Sequence, residues 1–264
     1  MYATKFMTAL SFVAVALAAP TQYGSGSLQY REELQSRAFS GIEICEMPGR
    51  GDVQAVCLAN PLRFTLVDNK LHKITTGGPQ PPNTECDHSL ELQVLKQALN
   101  GNGACTALNK ILEGGGIKTT ATKEALIKPL LDAVNAKDNT VFLEKTVNAE
   151  KRLVVQHALG DNAKRPASNV LTAVKAYLAD GDIHGETTAL ANRLDSLTAT
   201  MIHNAATQAN AAIDEKAKTA STTRQKAGIE TMRKQVTDGT AEFKPATGVS
   251  TTWNKVLTYA AGCP

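Results

Sequence analysis

Two adjacent polar residues, Asp87 and His88, are of types that hydrolytic enzymes use. They stand between a proline-rich loop and an apolar-periodic run that predicts a helix. An unperturbed histidine titrates near pH ~6.5, so its neutral form can act as a general base at neutral pH. The alternative is structural. Asp87 would then be the N-cap of the helix, and His88 would be a surface residue in its first turn.

A second polar segment reads DNTVFLEKTVNAEKR. In it, Asn139 precedes a β-branched and aromatic run that predicts a strand at 140–147, and Asn148 follows nine positions later where a helix is predicted. Together with the Asp-His pair, this order resembles the HNH, or His-Me finger, nucleases. Their signature is Asp-His at a strand end, then Asn opening a second strand, then His or Asn on a helix with a basic residue three positions further on.

The resemblance covers residues 84–152 and is to the family variant that ends in asparagine. It implies a ββα-metal core, with a helical insertion in the 51 positions that separate His88 from Asn139. Under the same resemblance His88 would be the catalytic general base. Asn139 would be the second catalytic residue and would orient the imidazole. Asp87 and Asn148 would bind one divalent metal ion, for which Mg²⁺ is the expected cofactor.

Further roles follow from the same resemblance. Lys151 or Arg152 would contact the substrate phosphate, since basic side chains bind the backbone of nucleic acids. Glu91 lies one turn from the Asp-His pair and would be either a further metal ligand or a structural acid. The implied substrate is DNA or RNA, and the sequence does not separate the two.

The first 18 residues have the composition of a secretory signal. Lys5 precedes an apolar run of 13 residues, which is shorter than the ~20 that a spanning helix needs. The run ends in Ala16-Leu17-Ala18, a small-x-small pattern that predicts cleavage after the last of these residues. We therefore expect a secreted, extracellular protein without a membrane span, in which residues 19–40 form a polar N-terminal arm.

Five cysteines fit this expectation, because disulfides persist in oxidising compartments. Pairing of sequence neighbours predicts the bridges Cys45–Cys57 and Cys86–Cys105, although the sequence alone leaves other connectivities open. Cys263 would then have no partner within the chain. The cysteine and histidine spacings match no structural zinc site.

The hydrophobic pattern predicts a mainly helical α+β fold. The segments GIEICEM, DVQAVCL and RFTLVDN predict strands within 41–75, with MPGRGD as a hairpin turn. Helical periodicity dominates after position 89, apart from the strand at 140–147, and it predicts helices at 104–113 and 122–136. The chain from Glu186 to Val236 is predicted as one long helix or two. These elements suggest a disulfide-stapled α+β domain at 41–165 and a helical region at 166–264.

Charge leaves two classes of function open. The net charge of +3 over 264 residues is no nucleic-acid signature by itself. From Lys216 to Pro264, however, eight Lys or Arg residues face three acidic ones, an excess typical of a solvated helix face. The first hypothesis is a secreted, magnesium-dependent nuclease of the HNH type. The second is a non-catalytic secreted helical effector or binding protein, whose partner would be a host protein.

Overall fold

A computed structural model of the chain describes residues 42–161 and 168–263. The signal peptide predicted at 1–18 and the arm predicted at 19–40 lie outside these ranges. Within them, no helix is both long and apolar enough to cross a membrane. The fold is a mainly helical α+β arrangement with small N-terminal sheets, as the hydrophobic pattern predicts.

In the described ranges, six strands form two sheets. They are β1 (Glu43–Ile44), β2 (Met47–Pro48), β3 (Arg63–Val67), β4 (Lys70–Ile74), β5 (Thr84–His88) and β6 (Thr140–Glu144). β1 and β2 make a two-stranded hairpin, and the other four make a sheet in the order β4-β3-β6-β5. β3 and β6 run parallel, whereas β6 pairs with β5 in antiparallel register, so that Asp87 lies opposite Val141 and His88 opposite Thr140. The central strand β6 is buried along most of its length, which agrees with its apolar sequence.

Helices make up most of the rest of the described chain. They are α1 (Gln54–Ala59), α2 (Leu92–Gly101), α3 (Ala104–Gly115), α4 (Thr120–Val134), α5 (Lys145–Ala158), α6 (Ser168–Leu178), α7 (Gly181–Thr219), α8 (Thr223–Glu242) and α9 (Val249–Gly262), with short 3₁₀ turns at Lys137–Asn139 and Pro245–Thr247. The segment predicted as one long helix or two is therefore two helices, α7 and α8. One hydrophobic cluster includes buried side chains from β3, β6 and all helices from α2 to α9.

Helix α3 packs unusually closely against α7 and α8 because small residues lie at the contacts. Gly114 and Gly115 are buried at the end of α3. A Cβ atom added to Gly115 would lie 2.7 Å from the Cβ of Ala209 on α7. A Cβ added to Gly239 on α8 would lie 3.0 Å from the backbone nitrogen of Ile111. These backbones approach as closely as they do only because side chains are missing there.

Two strand predictions in the N-terminal part are wrong. The segment DVQAVCL forms helix α1, in which Val53 and Cys57, four positions apart, are buried together against Phe142. The apolar spacing of so short a run fits both a helix and a strand. The helix forms because it places Val53 and Cys57 on one face, where both can be buried. The hairpin turn also lies earlier than MPGRGD. It consists of Cys45 and Glu46, whose φ angles of 48° and 70° suit a tight two-residue hairpin turn.

The predicted disulfide pairing is wrong as well, although the same four cysteines are used. Cys45 pairs with Cys105 and Cys57 pairs with Cys86, with Cα–Cα distances of 5.0 and 5.8 Å. Because Cys57 is on a helix that packs beside β5, it lies next to Cys86 and not opposite Cys45. Closing a longer loop costs little additional entropy, so closeness in sequence is a weak guide to pairing. Cys263 is a buried free thiol.

The close packing of α3 predicts opposite effects for two glycine substitutions. We expect Gly115→Ala to lower the free energy of unfolding by about 1–3 kcal/mol, because the added methyl group overlaps Ala209. Gly228 lies within α8 with open space around it, so Gly228→Ala should raise the free energy of unfolding by up to ~1 kcal/mol through helix propensity alone. Urea unfolding of both variants tests this, and equal stabilities would contradict the packing.

Candidate functional site

The Asp-His pair is the end of strand β5, and this placement separates the two side chains. Successive residues of a strand point to opposite faces of the sheet. Asp87 points to the face covered by α5 and contacts Lys151 there. His88 points to the other face and contacts Asn135, just after α4. The helix that follows begins at Leu92 with Glu91 as its N-cap, so the alternative in which Asp87 caps that helix is wrong.

On the face of the sheet to which Asp87 points, Lys151 contacts each of the neighbouring polar groups described here. Its ammonium group is fully buried and forms ion pairs with the carboxylates of Asp87 and of Glu91, the latter at 3.1 Å. It also donates a hydrogen bond to the carbonyl oxygen of His88 at 2.6 Å. Its Nζ lies 5.6 Å from the centre of the Tyr177 ring, which contributes a cation–π contact. The ammonium therefore ties α5 to both the end of β5 and the start of α2.

One cation between two buried carboxylates leaves an excess of negative charge, and protonation relieves it. Burial raises the pKa of Asp87 to about 7, and the charge of Glu91 adds to this while Lys151 opposes it. Burial by itself would lower the pKa of Lys151, but Asp87 and Glu91 outweigh that effect and hold it above its usual value. Near neutral pH the cluster thus carries a charged lysine and an Asp87 that is close to half protonated.

The imidazole of His88 is enclosed and neutral. The residue is only 2% exposed, and burial lowers its pKa to about 4, although a hydrogen bond with Asn135 partly opposes the shift. Asn135 uses its amide nitrogen to donate to the carbonyl oxygens of Gly49 and Leu131. Its Oδ1 must therefore accept, so the Nε2 of His88 donates to it at 2.9 Å. Asn135 therefore holds the neutral imidazole of His88 and ties it to the loop that contains Gly49.

Asn139 has a structural role in this fold. It is fully buried, and its side chain bonds to the backbone at three points. Its Oδ1 accepts from the amide of Leu90 at 2.6 Å, and its Nδ2 donates to the carbonyl oxygens of Leu90 and Val134 at 3.1 and 2.8 Å. These bonds fasten the turn after β5 to the chain that enters β6. None of these bonds reaches His88, whose imidazole is hydrogen-bonded to Asn135 in this structure.

The remaining predicted residues lie on α5. Asn148 is half-buried and donates a hydrogen bond to the carboxylate of Glu85 at 2.7 Å, near the start of β5. Lys151, one turn further on, is enclosed and cannot contact a substrate phosphate in this conformation. Arg152 is exposed. Strand β5, strand β6 and helix α5 do follow one another as strand, antiparallel strand and helix, which is the element order that the resemblance implies.

The donor groups do not fit the predicted magnesium site. Asp87 is bonded to an ammonium group, and Asn148 is bonded to Glu85. A divalent cation bound by Asp87 would also lie next to the buried charge of Lys151, which like-charge repulsion disfavours. In residues 42–161 and 168–263, no group of three or more His, Cys, Asp or Glu side chains is placed to hold a metal ion.

Sequence reasoning missed two residues that complete the site. Tyr177 on α6 covers Lys151, and its hydroxyl is hydrogen-bonded to Ser89 at 2.9 Å. Asn135 holds His88. The sequence around Tyr177 has no acidic or basic residue nearer than Lys175, so only long-range packing reveals its contact with a lysine. Asn135 lies where the predicted helix at 122–136 ends, a position that usually indicates only a helix stop.

Comparison of the chain with models of protein families, with curated proteins and with solved structures gave no match.

The burial of His88 predicts an unusual titration. Its imidazole should stay neutral on acidification until the pH approaches about 4, because charging it would place an unpaired cation in a closed site. Two-dimensional NMR of the histidine ring protons as a function of pH measures the midpoint directly. The exposed His72 on β4 provides an internal comparison in the same spectra. A midpoint for His88 at or above 6 would contradict the enclosure described here.

Proposed function

We propose that the chain is a secreted, non-catalytic helical protein that acts by binding a partner. The observation that supports this best is that His88 and Asp87 are both buried and bonded to other groups of the chain. A general base must come within hydrogen-bond reach of the proton that it removes. An imidazole that is 2% exposed does not meet this condition for a nucleic-acid strand. Two disulfides support secretion, since they persist in oxidising compartments.

One surface suited to a partner is a groove of about 410 Å³ between the end of α7 and the start of α8. Its apolar lining includes Ala217 and Ala220 from the end of α7 and the turn, and Ala227 and Ile229 from α8. Small side chains at these positions leave room for an apolar side chain of a partner. The groove is therefore suited to an extended or helical peptide that inserts one or two small apolar groups.

The charges beside the groove favour an acidic partner. Lys226, Arg233 and one acid, Glu230, line it, and Arg224 is in the same turn of the helix as Lys226 but outside the lining. Lys226 and Arg224 are exposed, and neither has a hydrogen-bond or ion-pair partner among the residues that the structure describes. Arg233 is already paired with Asp214 at 2.9 Å. The excess of basic over acidic side chains in and near the groove suits a peptide that alternates carboxylates with small apolar residues.

A labelled peptide of alternating Glu and Ala or Leu residues is the probe for this proposal, with fluorescence anisotropy as the measurement. We expect binding that weakens as salt is raised, because exposed charge pairs are screened. Arg224→Glu with Lys226→Glu should reduce affinity about tenfold or more, since two attractions become repulsions. The control is Lys96→Glu with Lys255→Glu, which makes the same change in charge at exposed positions outside the groove lining.

Equal affinities of the two double variants would contradict the proposed surface. The nuclease hypothesis stays a prediction, and the order of β5, β6 and α5 is the observation in its favour. A plasmid-nicking assay with Mg²⁺ or Mn²⁺, with and without chelator, compares the two hypotheses on the same preparation. Metal-dependent nicking that His88→Ala abolishes would overturn the non-catalytic proposal. We expect no metal-dependent nicking by the wild-type chain.

A further inference from the structure

The contact between Lys151 and Asp87 places an amine and a carboxyl group together in a closed site. Lys151 is 0% exposed and Asp87 is 5% exposed, and their side chains are in direct contact. The two residues are 64 positions apart and belong to different elements, α5 and β5. A third group, the carboxyl of Glu91, is 9% exposed and lies 3.1 Å from the same nitrogen.

Aromatic and apolar groups keep water away from this contact. The ring of Tyr177 lies over the Lys151 nitrogen, and the ring of Phe64 packs edge-on against Tyr177 with a centroid distance of 4.9 Å. Both aromatic residues are fully buried. A charged pair is costly in such surroundings, because neither partner is hydrated. The neutral forms, an amine and a carboxylic acid, carry a smaller desolvation cost.

The cluster contains the groups needed to reach those neutral forms. Burial raises the pKa of Asp87 to about 7, so its protonated form is well populated at neutral pH. Protonation of Asp87 removes one of the two negative charges that hold the pKa of Lys151 above its usual value, and burial then favours the neutral amine. Lys151 can then transfer one proton to Glu91, whose carboxyl oxygen lies 3.1 Å from its nitrogen. After this transfer Lys151, Asp87 and Glu91 are all neutral, and the lone pair of the Lys151 nitrogen is free. The nitrogen is then a nucleophile in contact with a carboxylic acid.

We propose that Lys151 and Asp87 form an intramolecular isopeptide bond, with Glu91 as the proton carrier. The lone pair of the Lys151 Nζ attacks the Cγ of protonated Asp87, and a C–N bond forms. The C–O bond to the hydroxyl group breaks, and one water leaves. In total Nζ loses two protons: one departs in the water and the other remains on Glu91. No oxidant, reductant or co-reactant takes part.

The energetics of the site favour this condensation. In water, hydrolysis of an amide is favoured largely because the acid and the amine that it releases become ionised and hydrated. Burial removes much of that gain, since the released ions would be desolvated. Contact between the two groups in the folded chain also supplies the positioning that a bimolecular reaction lacks. The bond therefore requires the positioning and burial that the folded structure supplies, and an unfolded chain should not form it.

The test is the intact mass of the folded, disulfide-bonded chain. We expect a mass lower than the sequence requires, after both disulfides are counted, by one water. After reduction and trypsin digestion, peptide 74–96 should be linked to peptide 146–152, because an acylated Lys151 is not cleaved. Tandem mass spectrometry locates the link and separates it from a succinimide at Asp180-Gly181, which also loses one water.

Three variants make the result specific. Lys151→Arg should show the full mass, because a guanidinium does not attack. Asp87→Asn should lose ammonia in place of water, since its leaving group is an amine. Glu91→Gln keeps the shape of the side chain but cannot carry the proton, so most of its chains should stay unlinked while circular dichroism matches the wild type. Full mass and a free Lys151 peptide in the folded wild type would overturn the bond, and complete linkage in Glu91→Gln would overturn the role of Glu91.

Discussion

A buried ammonium group between two carboxylates, present in the folded chain before any bond to Asp87 forms, is the interaction on which the assembly of the α+β part of this protein depends. Lys151 on α5 reaches Asp87 at the end of β5 and Glu91 at the start of α2, and it also binds the carbonyl oxygen of His88 between them. A buried charge without hydration is tolerated only if ion-pair and hydrogen-bond partners surround it. Strand, loop and helix must therefore keep these positions together, or the chain would leave an uncompensated charge in its core.

The neighbouring polar residues extend this constraint to the opposite face of the sheet. Asn139 bonds to the backbone on either side of the turn after β5, and Asn135 holds the neutral imidazole of His88. The disulfide between Cys57 and Cys86 ties α1 to the same strand. Residues of catalytic types are thus used here to fix one strand end within a mainly helical fold. The binding function proposed above accordingly relies on the exposed turn between α7 and α8, away from this rigid centre.

The sequence predicts those parts of the fold in which periodicity is strong. The helices α3 and α4 begin and end within two residues of the predicted 104–113 and 122–136, because their apolar residues recur at helical spacing. The hydrophobic pattern does not predict strand β5, because TECDH has no apolar alternation; only the nuclease resemblance implies a strand that ends at Asp-His. Its buried positions include Asp87 and His88, whose polar groups bond to residues far away in the chain. The segment DVQAVCL, most of which forms α1, is too short for its apolar spacing to distinguish a helix from a strand.

The candidate site shows the same limit. The spacing of polar residues indicates Asp87, His88, Asn139, Asn148 and Lys151 as candidates, and all five are hydrogen-bonded within one region of the sheet and its helices. What spacing cannot supply is the direction of each side chain and the identity of its partner. The alternation of β5 sends Asp87 and His88 to opposite faces, and the distant Tyr177 closes the lysine side. Such contacts depend on packing between elements far apart in the chain.

The most direct test of the central role of Lys151 is the free energy of unfolding of Lys151→Met at two pH values. The variant leaves two buried carboxyl groups without a cation, so we expect a loss of about 3–5 kcal/mol at pH 8. The loss should be smaller at pH 5. The folded-state pKa of Asp87 is raised above its unfolded value, so the cost of burying it accumulates as the pH rises from the unfolded pKa towards the folded one. Less of that cost is therefore present at pH 5 than at pH 8.

The exposed Lys128→Met, which breaks only a surface pair with Asp132, serves as the control and should change stability by less than about 1 kcal/mol at both pH values. Urea denaturation of the wild type and the two variants at pH 5 and pH 8 gives the comparison. Lys151→Arg is added as a reference, because it keeps a cation and cannot form the proposed bond to Asp87. A large loss for Lys151→Met that grows with pH is the result that a buried cationic centre predicts. Wild-type stability of Lys151→Met at both pH values would contradict it.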